Sequence, residues 1–326
     1  MSTGPVSAEA PRFHFAASRI RAGATARLLT ARSGDGQNKG HDSSTAGSDN
    51  RFMNCAFRYW TLRVASAATR TIAVLATLAA FCAAAPAQTA DLHGVGVVYL
   101  HGKGGWAGAL DGGILSALAG EGALVATPEM PWSMKRKYGA TYEQAMGEID
   151  AAAAGLRAKG AARIVVIGHS LGANAAIGYA ARHPDLAAVI ALAPGHLPEV
   201  EGMRSHTSEA IAEAKQLIAA GQGDVPRSFP DMAQGIPLTT TATPKVYLSM
   251  FDPDGPAVIP KNAEAMGPVP FLWVVGTLDP IARRGPDYAF KLGAKNPKSR
   301  YVEVFAGHLT TPLVARSQVV EWINSL

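Results

Sequence analysis

Cysteine is nearly absent: the 326 residues hold two, Cys55 and Cys82. Both precede Gln88, so beyond that point the chain can form no disulfide, use no thiolate and build no cysteine-ligated metal site. Charged residues are few, at 17%, and aromatics make up 7%. The apolar stretch Thr71 to Ala85, about 15 residues, falls short of the roughly 20 that a membrane-spanning helix needs. His183, His196 and His206 have no carboxylate-rich spacing that would hold a metal, and they read as surface residues. No metal and no cofactor is expected.

The formal charge of +5 is unevenly placed. Ten of the 30 Lys and Arg but only four of the 25 Asp and Glu precede Gln88, which leaves residues 88–326 with 20 basic and 21 acidic residues, a net charge of −1. Nucleic-acid binding loses its compositional support there. Residues 1–52 are rich in Arg, Ser, Gly and Ala, and Ser33 to Asn50 is polar and low in complexity. Such a segment buries too little apolar surface to offset its ordering entropy, so disorder is expected. An organellar transit peptide is the alternative reading, since Arg is frequent and acids are few. Met53 opens a second pattern. Arg58, Arg63 and Arg70 precede the apolar Thr71–Ala85, and Ala85-Pro86-Ala87 supplies the small residues of a signal-peptidase site. Residues 53–87 therefore read as a cleavable secretory signal, with Met53 as the true start. The expectation is a secreted or periplasmic protein with no stable membrane anchor after cleavage. Lipid attachment at Cys82 is disfavoured by the bulky Phe81 just before it. What remains, residues 88–326, is the size of one α/β domain with a sizeable core.

Along that domain, short β-branched runs alternate with helix formers. Val95 to Leu100 (VGVVYL) is continuously apolar, as a strand buried on both faces of a parallel sheet would be. Helices are expected from Ala109 to Ala119 and from Thr141, as cap, to Lys159 before Gly160. Further strands are expected over Ala123–Thr127, Arg163–Ile167, Leu186–Ala193, Phe271–Val275 and Tyr301–Phe305. Between His196 and Pro244 the alternation breaks. One helix is expected there, about Ser208 to Ala220, and the rest reads as Pro-, Gly- and Thr-rich loop. An interruption this long (196–244) is read as a lid or cap. Lys245 to Phe251 (KVYLSMF) reads as a strand or a buried loop. The fold class expected is α/β: a doubly wound, mostly parallel sheet with right-handed crossovers.

The most informative stretch is Arg163 to Tyr179. A buried strand runs directly into Gly168-His169-Ser170-Leu171-Gly172, and a helix free of Pro follows. G-x-S-x-G between strand and helix forces a turn so tight that neighbouring backbone must pass where a Cβ would sit, hence the two glycines. The serine hydroxyl then stands above the sheet at a helix N-terminus. The bland alternative is a glycine-rich turn capped by Ser170. Two more candidates lie just past predicted strands, Asp279 in Gly276-Thr277-Leu278-Asp279-Pro280 and His308 in Gly307-His308-Leu309. Asp279 before a proline can also be a simple turn residue, with Asp252 or Asp254 as the competing acid, and His308 can be a surface histidine at a helix start.

With HGKGGW (101–106), GHSLG (168–172), GTLDP (276–280) and GHL (307–309), the chain resembles the α/β-hydrolase superfamily over roughly Val95 to Leu326, as a small serine esterase-like member. Only about seven residues separate the expected cleavage site from Val95, so the first strands of fuller members are expected to be missing. The resemblance implies an α/β-hydrolase fold with a short cap and catalytic Ser170, Asp279 and His308. It implies an oxyanion hole from the backbone N–H groups of Leu171 and Lys103. His101 is expected to brace the oxyanion loop, and His169 to pack or to brace a loop beside the nucleophile. Trp106, Trp132, Met250 and Leu309 are the expected substrate-pocket residues, although core packing is as good a reading of such side chains. Lys135-Arg136-Lys137 reads as a solvated face, with a patch for an anionic substrate as the alternative. The implied activity is serine hydrolysis of carboxylic esters of small to medium acyl chains through an acyl-enzyme, with a small-molecule ester as partner. An amidase or peptidase, or a non-catalytic binding protein on the same fold, are the alternatives. Oligomeric state is left open.

Overall fold

The computed structural model describes residues 91–326. The expected extension (1–52) and signal (53–87) lie outside the described residues.

Continuous apolar strands demand cover on both faces, and the structure supplies it. Six strands form one sheet: β1 (Val95–Leu100), β2 (Leu124–Ala126), β3 (Arg163–His169), β4 (Ala188–Leu192), β7 (Phe271–Gly276) and β8 (Arg300–Val304), in the order β2-β1-β3-β4-β7-β8. Every pairing in it is parallel. The helices are α1 (Ile114–Gly120), α2 (Tyr142–Ala158), α3 (Leu171–Ala180), α4 (Glu201–Ala219), α5 (Pro244–Phe251), α6 (Ile259–Ala265), α7 (Phe290–Gly293), α8 (Thr311–Val314) and α9 (Arg316–Asn324).

Alternation along each strand sorts side chains into two layers. On β1, Val95, Val97 and Tyr99 join Ile114 and Leu118 of α1 and Val319, Trp322 and Ile323 of α9. Val98 and Leu100 point the other way, into a larger core with Tyr142 and Ile149 of α2 and the whole inner face of α3. Each fully buried aliphatic or aromatic side chain contributes on the order of 1.5–3 kcal/mol. The chain thus winds helices onto both faces of the sheet. Its order reverses at β1, since β1 is followed by β2 on one side and β3 lies on the other. Loops leaving β1 and β3 diverge there and open a crevice at the carboxyl ends of the strands.

Two expectations need correction. Lys245–Phe251 lies within a helix, α5, not a strand or loop. Thr243 caps it by accepting from the Val246 N–H at 3.3 Å, and Pro244 stands at the first turn, a start signal that outweighs the strand-like composition of KVYLSMF. The insertion is also more ordered than a loop. Its helix α4 starts at Glu201, well before Ser208, and β5 (Arg227–Ala233) pairs antiparallel with β6 (Ile236–Ala242). Gln234 (φ 54°) and Gly235 (φ 77°) form its two-residue turn, the left-handed pair that matches strand twist in a hairpin. Pro230 and Pro237 are tolerated because the hairpin is two-stranded and each strand has a free edge.

Candidate active site

Ser170 follows the last residue of β3 and precedes the first of α3. Its backbone sits at φ 58°, ψ −120°, a conformation that costs a non-glycine residue on the order of 1–3 kcal/mol and persists only when its surroundings enforce it. They do. The Ser170 N–H donates to Leu192 O at 3.0 Å, and the Ser170 carbonyl accepts from Ala173 (3.0 Å), Asn174 (3.1 Å) and Gly195 (3.1 Å). A Cβ on Gly168 would lie 2.0 Å from Gly172 O, and one on Gly172 would lie 2.1 Å from Leu100 O. Neither position admits a side chain.

Ser170, Asp279 and His308 converge. His308 Nε2 is 2.9 Å from Ser170 Oγ, and His308 Nδ1 is 2.6 Å from Asp279 Oδ2. Asp279 and His308 are buried. Asp279 Oδ1 accepts from the Ile281 N–H at 3.2 Å, which orients the carboxylate at the start of a 3₁₀ turn, Pro280–Arg284. With Asp279 accepting the Nδ1 proton, Nε2 presents its lone pair to the serine hydroxyl. The rival acids lie elsewhere: Asp252 pairs with Lys215 at 2.9 Å, and Asp254 is exposed near Lys261.

His169 braces this group, as expected. Its Nε2 donates to His308 O at 3.0 Å, and burial pushes its pKa down to about 4, so the ring is neutral. His101 braces the loop after β1. Its Nδ1 donates to Gly102 O (2.8 Å), its Nε2 accepts from the Met130 N–H (3.1 Å), and burial lowers its pKa. Gly102 lies against Ser170; a Cβ there would meet Ser170 Cβ at 3.0 Å. Among the described residues, the backbone N–H groups of Lys103 and Leu171 have no hydrogen-bond acceptor. The Lys103 side chain turns inward. Its Nζ donates to Asp231 Oδ1 at 2.5 Å and to Met232 O at 3.0 Å.

A cavity of about 770 Å³ opens over Ser170, within the range of small-molecule sites. The insertion supplies much of its wall: Leu197, Val200, Met203 and Met232, with Ile281 and Leu309 opposite. Of the four expected pocket residues only Leu309 lines it. Trp106 is 60% exposed outside it. Trp132 is buried in the core, where its indole N–H donates to His101 O at 2.7 Å and so loses nothing by leaving water. Met250 is buried on α5, where its carbonyl accepts from His196 Nε2 at 2.7 Å. His196 itself was expected at the surface; it is buried, with its pKa pushed down to about 4 by burial first. His183 and His206 are half-buried. Within Lys135-Arg136-Lys137, the outer lysines are exposed, whereas Arg136 forms a bidentate pair with Glu148. Asp231 and the wall residues of the insertion escape sequence reasoning, since nothing local marks which side of the insertion meets the nucleophile.

Among the described residues no group of three or more His, Cys, Asp or Glu could hold a metal ion, and no helix is long and apolar enough to cross a membrane. A doubly wound parallel sheet with a serine elbow, an acid and a histidine in that chain order defines the α/β-hydrolase class. The family model described as the alpha/beta hydrolase family matches residues 92–322, and the chain belongs to that family. Among solved structures the fold is similar to a monoacylglycerol lipase of Paleococcus ferrophilus, at 24% identity, covering 71% of this chain and 94% of that one with a TM-score of 0.53. It is also similar to a thermostable carboxyl esterase of Bacillus coagulans, at 16% identity, covering 72% of this chain and 89% of that one with a TM-score of 0.51. No curated protein sequence matches the chain.

Proposed function

We propose that this protein is a serine hydrolase that cleaves carboxylic esters of small to medium acyl chains through an acyl-enzyme. The observation that carries the reading is the unbroken hydrogen-bonded line Ser170–His308–Asp279 beneath a largely apolar cavity. Ser170 Oγ attacks the ester carbonyl as its proton passes to His308 Nε2, and Asp279 stabilises the imidazolium that forms. The carbonyl oxygen becomes an oxyanion between the N–H groups of Leu171 and Lys103. Collapse breaks the C–O bond, and the departing alcohol takes the proton from His308. Water, deprotonated by the same histidine, then attacks the acyl-enzyme and releases the acid and free Ser170.

A p-nitrophenyl ester series from acetate to octanoate tests this on the wild type and on Ser170→Ala. Expected are turnover that is best at short and medium chains, a loss of about 10⁴-fold or more in the variant, and fluorophosphonate labelling that depends on Ser170. Equal rates in both proteins overturn the reading. We also propose that the chain acts outside the cytoplasm after removal of residues 53–87. Amino-terminal sequencing of the exported product should begin near Gln88, and an intact Ser2 refutes it.

A further inference from the structure

A lysine in a glycine-rich surface loop normally extends into water, because stripping an ammonium of solvent costs several kcal/mol. Lys103 does the opposite. It stands between Gly102 and Gly104, the latter at φ 67°. The Gly102 carbonyl accepts from His101 Nδ1 (2.8 Å) and the Gly105 N–H (3.1 Å), and the Gly104 N–H donates to Trp132 O (2.9 Å). The peptide groups on either side are thus fixed, while the Lys103 N–H itself has no partner among the described residues. Its side chain is 16% exposed and that of its partner Asp231 is 4% exposed. Both carboxylate oxygens and the ammonium of this pair are hydrogen-bonded. Asp231 Oδ1 takes the ammonium and the Met232 N–H (2.6 Å), Oδ2 takes the Tyr138 hydroxyl (3.3 Å), and Met232 O takes a second ammonium proton (3.0 Å). Phe251 lies under Nζ, 5.6 Å to the ring centroid. Asp231 is on β5, 128 residues away in sequence, and the strand it belongs to continues into the cavity wall at Met232 and Ala233 and on to the turn at Gln234 and Gly235.

One residue therefore touches both machines. The Lys103 main-chain N–H has no acceptor among the described residues and the residue lines the cavity over Ser170, while its side chain is clamped to the hairpin of the insertion. We propose that Asp231 is a positioning residue for the oxyanion hole: through the Lys103 ammonium it fixes where the Lys103 N–H points, so the β5–β6 hairpin belongs to the machinery that stabilises the transition state. This rests on the hydrolase reading above. An ordinary tie between loop and insertion needs no attachment to Lys103, one of the two residues whose amides are assigned to the oxyanion. The hairpin is in any case anchored to α5 independently, by Phe229 stacked on Tyr247 (4.3 Å) and by the Tyr247 hydroxyl donating to Pro230 O (2.8 Å).

The test compares wild type, Asp231→Asn, Asp231→Glu and the double variant Lys103→Met with Asp231→Leu. Replacing both partners leaves no unpaired buried charge, and a cooperative urea transition for each variant establishes that it is folded. Active sites are titrated to completion with a fluorophosphonate, so that misfolded protein does not count. Then kcat and KM for p-nitrophenyl butyrate are measured per titrated site, together with the inhibition constant of butylboronic acid, whose serine adduct is tetrahedral. For Asp231→Asn and the double variant, kcat should fall on the order of 10–100-fold and boronic acid binding should weaken in parallel, with KM within about threefold. Asp231→Glu should recover part of the loss. If kcat per titrated site and boronic acid affinity stay within about twofold of wild type, the pair is only a structural tie and the inference fails while the hydrolase reading survives. A wild-type protein without esterase activity is the separate failure of the hydrolase reading itself.

Discussion

The strain at Ser170 is affordable because glycine on either side removes every atom that would oppose it. A methyl group at Gly172 would sit 2.1 Å from the Leu100 carbonyl oxygen, a backbone atom that cannot swing away. Gly172→Ala should therefore cost on the order of 3 kcal/mol in urea unfolding, and the surviving folded fraction should hydrolyse esters poorly. A stability change under 1 kcal/mol would show that the turn is looser than drawn. In the proposed mechanism Asp279 acts through orientation, as its contact with His308 Nδ1 allows. Asp279→Asn should leave the fold intact yet lower kcat by about 10³–10⁴-fold, because an amide no longer holds the His308 proton on Nδ1. Retention of a tenth of the wild-type rate would move the acid's role elsewhere. These residues were legible because each lies in a short motif just beyond a predicted strand. Asp231 was not, since an aspartate in an insertion carries no mark of the lysine it will meet.

Elements were legible where their ends carry chemistry. Thr141 accepts from the Gln144 N–H (3.2 Å) while Gln144 Oε1 accepts from the Thr141 N–H (2.8 Å), a reciprocal cap that starts α2 where the sequence places it. Thr141→Ala should cost about 1 kcal/mol by thermal or urea unfolding, without changing kcat. The hairpin of the insertion went unrecognised because Gln-Gly is a weaker turn signal than Asn-Gly and two prolines interrupt its strands. The same weakness makes it improvable. Gln234 adopts φ 54°, a region asparagine tolerates better, so Gln234→Asn should stabilise the protein by about 0.5 kcal/mol. A destabilised variant would mean that the Gln234 side chain, which lines the cavity, makes contacts worth more than the turn. Helix α5 was missed for a related reason: the composition of KVYLSMF favours a strand, and only the preceding Thr-Pro reveals a helix start.

For the molecule as a whole, two buried histidines tie stability to pH. His169 and His196 have their pKa values pushed down to about 4 by burial, against an ordinary value near 6.5. Above pH ~6.5 both are neutral, folded or unfolded, and impose no penalty. Between ~6.5 and ~4 the unfolded chain takes up protons that the folded chain refuses, so stability falls as the pH falls, by on the order of 2–3 kcal/mol per histidine at pH 4.5. Thermal melts should show Tm dropping steadily from pH 7 to 4.5, and substituting His169 by Asn should flatten that slope. A Tm independent of pH across this range contradicts the burial of both rings.

The chain by itself determined the layered plan and which three side chains converge. Continuous apolar strands require a sheet covered on both faces, and Ser170, Asp279 and His308 each follow a strand, so a parallel sheet must bring them to one edge. Tertiary structure alone decided what surrounds them. Trp132 went to the core, where its N–H found the His101 carbonyl, and Lys103 turned inward because Asp231 arrived from the insertion. Local pattern reports periodicity and turn chemistry within a few residues. A contact between partners 128 residues apart is selected by packing of the whole chain and leaves no trace in either neighbourhood.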